Sequence, residues 1–122
     1  MRLAFSCEND AGLESSIAMH FGRCPFFLLV DLDGEEIVAV KSVPNPHYPH
    51  HEPGMVPSFI HEQKADVMIS GGMGGRAIAF FREFGIEAAT GASGKVKDGV
   101  ASYLAGSLTG ARPCSDSEQH HH

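Results

Sequence analysis

The chain has no tryptophan, only three cysteines, and nine basic residues against fifteen acidic ones in 122. Each shortage excludes something. An acidic chain of formal net charge -6 needs a local basic stripe to grip a phosphate backbone, and none is present. Cys7, Cys24 and Cys114 are odd in number and form no C-x-x-C pair, so a disulfide framework is not indicated and a reducing, cytoplasmic setting is expected. No apolar run approaches the roughly 20 residues of a membrane span. The first residues, broken by Glu8 and Asp10, do not read as a signal peptide. Catalytic patterns are lacking too: there is no G-x-S-x-G or H-E-x-x-H, and the acidic residues sit mostly in turns, so no enzymatic activity is expected.

What is plentiful is glycine, at fourteen residues, and histidine, at eight. The glycines punctuate a chain that reads as one α/β domain over residues 1–112, followed by a flexible, His-ended tail at 113–122. Leu3 to Ser6 is a short strand, and a single helical turn is expected from Ser15 to Met19. Phe26 to Val30 is continuously apolar, the pattern of a strand covered on both faces. Asp33-Gly34 signals a hairpin to a third strand at 37–42. Strands follow at Val67–Ile69 and Ile86–Ala89. Helices are expected from Val56 to Gln63, from the glycine loop to Gly85, and from near Ser93 to Gly110. The prediction is a three-layer α/β fold with a mixed five-stranded sheet and one antiparallel strand.

Three segments could carry chemistry. His20-Phe21-Gly22-Arg23-Cys24-Pro25 gathers an imidazole, a guanidinium and a thiol before a buried strand. His20 and Cys24 suit a soft metal, with Arg23 offsetting negative charge; the same residues also suit a structural turn with Cys24 in the core. A proline-rich loop holds His47, His50 and His51, which can bind a transition metal as neutral imidazoles or simply lie in solvent. Between a strand and a helix lies Gly71-Gly72-Met73-Gly74-Gly75-Arg76. Amides at Gly72, Gly74 and Gly75, with Arg76, could hold an anion, while Met73 points into the core or across the site. Alternatively the glycines only allow close packing. No acidic residue closes the next strand and no Lys-Ser/Thr follows, so neither a dinucleotide nor a P-loop site is indicated.

In this order and at this distance, His20 to Phe27, Asn45-Pro46, Gly71 to Ala77 and Gly91-Ala92-Ser93-Gly94 resemble the dinitrogenase iron–molybdenum cofactor family, over most of residues 2–108. The resemblance implies a ribonuclease H-like topology. It also implies binding or delivery of an iron–sulfur or iron–molybdenum type cluster, with cofactor-assembly or acceptor proteins as partners. A metal-free module that binds a small molecule or anion for regulation is the alternative.

Overall fold

The computed structural model describes residues 1–48, 54–108 and 110. The expected tail, with Cys114, lies outside them, as do His50 and His51. Five strands form one sheet: β1 (Arg2–Cys7), β2 (Phe26–Asp33), β3 (Glu36–Pro44), β4 (Val67–Ile69) and β5 (Glu87–Ala89), in the order β3-β2-β1-β4-β5. β1, β4 and β5 are parallel, whereas β2 is antiparallel to both of its neighbours. Besides the hairpin with β3, there is thus a second antiparallel pairing, β1 with β2, that the sequence did not announce. In the hairpin the register slips between Asp31 and Leu32, a bulge that leaves Val38 unpaired and exposed.

Alternation along the strands builds two cores. On one face Leu3, Phe5, Leu28, Val30 and Ile69 pack with Val96 and Val100 of α3 (Val96–Leu104). On the other, Ala4, Phe27, Leu29 and Met68 pack with Val56 and Ile60 of α1 (Met55–Glu62) and Phe81 of α2 (Gly75–Phe84). The sheet is therefore the middle of three layers. Residues 27 to 30 are buried on both sides, which their unbroken apolar run requires. Among the described residues no helix is long and apolar enough to cross a membrane.

Two boundaries differ from expectation for local reasons. The helical turn near Ser15 is instead a 3-10 turn at Gly12–Glu14; residues 16 and 17 are extended, bridging Lys95 and Cys7. Helix α3 stops at Leu104, well short of Gly110, because Gly106 turns left-handed at φ 81°. Leu108 is still buried in the core, which explains why it fitted the helical stripe.

Candidate anion and cluster cleft

The site region begins where the parallel neighbours β1 and β4 end. From there the chain leaves in opposite directions, toward β2 and toward α2 and β5, a position that commonly leaves a crevice in α/β sheets. Here residues 16–21 enter that crevice. The Ala18 amide donates to the Ser6 carbonyl at 2.8 Å, Gly71 to Ala18 at 3.0 Å, and Phe21 to Gly72 at 2.9 Å. His20 and Gly72 form a parallel bridge. The two segments that stood apart in sequence are joined backbone to backbone. Beneath the junction lie two fully buried hydroxyls: Ser6 Oγ donates to Ser70 Oγ at 2.7 Å, and Ser70 Oγ donates to the Gly72 carbonyl at 3.1 Å. Each polar group is satisfied, as burial demands.

Gly71 is closed off in this way, but the loop opens further along. Gly74 caps α2 without any side-chain bond, and the first intrahelical bond is Ile78 N–H to the Gly74 carbonyl. The amides of Gly75, Arg76 and Ala77 therefore have no acceptor among the described residues. Beside that helix end lies an open cleft of about 370 Å³, lined by Gly74, Arg23 and Arg76 and walled by Phe21, Pro57 and Phe80. Arg2, Lys95 and Lys97 are held in ion pairs by Asp31 and Glu14. No carboxylate among the described residues pairs with Arg23 or Arg76. Two guanidiniums with no carboxylate partner among the described residues, and a helix N-terminus, put positive charge at the cleft.

The metal-ligand candidates fare differently. His20 is exposed and precedes Phe21 of the cleft wall. Cys24 does not lie open beside it: the residue is 0% exposed, in the core with Phe27 and Val43. Burial pushes its thiol up to about 12, only partly offset by hydrogen bonds from the Cys7 and Gly22 backbone. Cys7, also buried, is raised to about 12 for the same main reason. Neither offers a thiolate in this conformation. Met73 is likewise in the core, at 1% exposure, not across the cleft. His47 is half-buried, its ring edge-on to Phe59. No group of three or more His, Cys, Asp or Glu able to hold a metal ion occurs among the described residues.

Asn45 is a residue that composition and spacing could not assign. It is 5% exposed, donates through Nδ2 to the Cys24 carbonyl at 2.9 Å, and accepts from the His47 amide at 3.0 Å. It ties the histidine loop to the turn that carries Arg23. An asparagine beside a proline reads as an ordinary turn; only the family motif singled it out.

The fold recurs in solved structures of other proteins. The protein PH0822 has a solved structure 36% identical in sequence, covering 89% of this chain and 95% of its own, with a TM-score of 0.80. The apo form of the orange protein from Desulfovibrio gigas aligns at 23% identity, covering 92% and 93%, with the same TM-score of 0.80. The protein MJ0327 of Methanocaldococcus jannaschii aligns at 20% identity, covering 89% and 92%, with a TM-score of 0.70. At those identities the last two establish the fold alone. No curated protein matches the chain. The family model described as dinitrogenase iron-molybdenum cofactor matches residues 1–106, and the chain therefore belongs to the dinitrogenase iron–molybdenum cofactor family.

Proposed function

We propose that the chain binds an anionic iron–sulfur or iron–molybdenum type cluster as cargo in the Arg23–Arg76 cleft. It would then pass the cluster to a cofactor-assembly or acceptor protein, with no catalysis of its own. The observation that carries this reading is one cleft that holds two guanidiniums, neither paired with a carboxylate among the described residues, beside the open N-terminus of α2. Sulfide-rich clusters are negatively charged and have soft, weakly hydrated faces. Arg23, Arg76 and the amides from Gly75 would hold the charge, while Phe21 and Phe80 would cover an apolar face. His20, exposed next to Phe21, supplies at most one exchangeable ligand. Cys24 is left out of the ligand set because it is buried and protonated. A cargo held mainly by charge and surface contact can be released without breaking several metal–ligand bonds, which suits delivery. The strand order with β2 alone reversed supports the ribonuclease H-like topology that the resemblance implies. No nuclease chemistry accompanies it, since β1 carries Phe5 and Ser6 where converging carboxylates would be needed.

The test is anaerobic gel filtration of the protein with a synthetic thiolate-capped iron–sulfur cluster, followed by visible absorption. The protein should carry the chromophore, and R23A/R76A should lose it while keeping its circular dichroism. Equal retention by the double variant would refute the cleft as the site. Binding of citrate or sulfate without any cluster retention would favour the metal-free anion-binding module.

A further inference from the structure

A second hollow, about 440 Å³, adjoins the cleft and shares Gly54 and Phe80 with it. Its polar lining has the opposite character: His47, Ser58 and Glu62 replace the two arginines. Ser58 and Glu62 are four apart on α1, so they stand one above the other on one helix face. Phe59 lies between them in sequence, and its ring holds His47 at a centroid distance of 6.4 Å and 83°. The backbone of His47 is fixed separately, by the hydrogen bond its N–H donates to Asn45 Oδ1. The imidazole has no hydrogen-bond partner among the described residues, and the Glu62 carboxylate has no cation beside it there. A half-buried imidazole and an exposed carboxylate thus line one water-accessible hollow, neither with a polar side-chain partner among the described residues.

We propose that this hollow is a separate site for a borderline divalent transition-metal ion, with His47 and Glu62 as its two protein ligands. Nitrogen and carboxylate oxygen donors suit ions such as zinc, and water would complete the coordination. Calcium and magnesium are disfavoured, because they prefer all-oxygen shells. Arg23 and Arg76 belong to the other hollow and take no part, so the site does not depend on the cluster reading. Phe80 separates the two: one side collects negative charge and the other a cation. Asn45 acts as a positioning residue, since it fixes the backbone of His47 without touching the ion.

Calorimetric titration of the full chain with zinc chloride tests the assignment. Parent, H47A, E62Q and R23A/R76A proteins are compared at neutral pH, with circular dichroism to confirm that each is folded. Loss of a ligand should weaken one zinc-binding event by no less than the roughly 10–100-fold that outer-shell changes cost. H47A and E62Q should both lose that event, and R23A/R76A should keep it. A visible d–d spectrum of bound cobalt(II), present in the parent and absent in E62Q, gives a readout independent of heat. E62Q decides the matter, because binding by the chain's other histidines needs no carboxylate at position 62. An E62Q titration superimposable on the parent's would overturn the site, as would zinc binding that is lost in H47A but intact in E62Q.

Discussion

Replacing Gly71 by alanine probes the junction on which the site is built. A Cβ there would lie 2.8 Å from the Met19 Cα, 3.0 Å from the Ala18 carbonyl oxygen and 3.1 Å from that of Met19. All three are backbone atoms, so no rotamer change relieves the clash. Gly71 is not among the residues with positive φ, so glycine is required here for close approach and not for conformational freedom. The segment at 18–19 has to move away from the loop. That stretches the Gly71–Ala18 hydrogen bond and the neighbouring Phe21–Gly72 bond. Overpacking of this kind costs about 1–3 kcal/mol. Restricting the unfolded chain returns about 0.4–1 kcal/mol. The net loss is about 1–2 kcal/mol, or a fall in Tm of roughly 3–10 °C for a domain of this size. Differential scanning calorimetry measures it, and amide NMR shifts at His20 to Arg23 report whether the junction moves. A G71A protein as stable as the parent, with unchanged shifts in that segment, would refute the reasoning.

Ser70→Ala leaves the Ser6 hydroxyl buried without its acceptor and removes one of the two donors to the Gly72 carbonyl, which keeps the Phe21 amide; it should cost about 1–3 kcal/mol in urea unfolding. Gly99→Ala should destabilise despite its better helix propensity, because its Cβ would meet Phe5 at 2.9 Å and Ile17 at 3.0 Å; thermal unfolding would show it. Cys7 and Cys24, with thiols near 12, should resist a disulfide reagent at neutral pH in native protein and react once the chain is unfolded. The Arg2 hydrogen bond holds the Asp31 carboxyl below its ordinary value, so folded protein binds that proton less readily than unfolded protein does. The resulting stability is complete above about pH 3.9 and is lost as pH falls through the lower folded value. Arg2→Met should flatten that acid limb in a pH series of melting curves.

Sequence periodicity was a good guide wherever a single element decides its own structure. The apolar run at 26–30, the Asp33-Gly34 turn and the short strand at 67–69 could be read because burial and turn chemistry act within a few residues. The hairpin was legible for the same reason, whereas the β1–β2 pairing was not. It joins strands across the excursion at residues 8–25, and no local signal encodes that register. The candidate site divides in the same way. Its glycine loop and arginines stood out as residue types, but their use depends on contacts roughly fifty residues apart. Residues 16–21 fill the crevice at Gly71 and Gly72 with backbone bonds that every amide can make, so they leave no mark on composition. The opening therefore falls a few residues later, at Gly74, where α2 begins. The same placement explains Cys24. It lies on the turn expected to carry a ligand, but Asn45 holds its carbonyl while its sulfur packs into the core that β2 creates. Position in a motif indicates which backbone a residue serves; only packing decides whether its side chain reaches solvent. In this chain the reactive-looking thiol is inside, and the charges that line the cleft are the guanidiniums of Arg23 and Arg76, neither of which pairs with a carboxylate among the described residues.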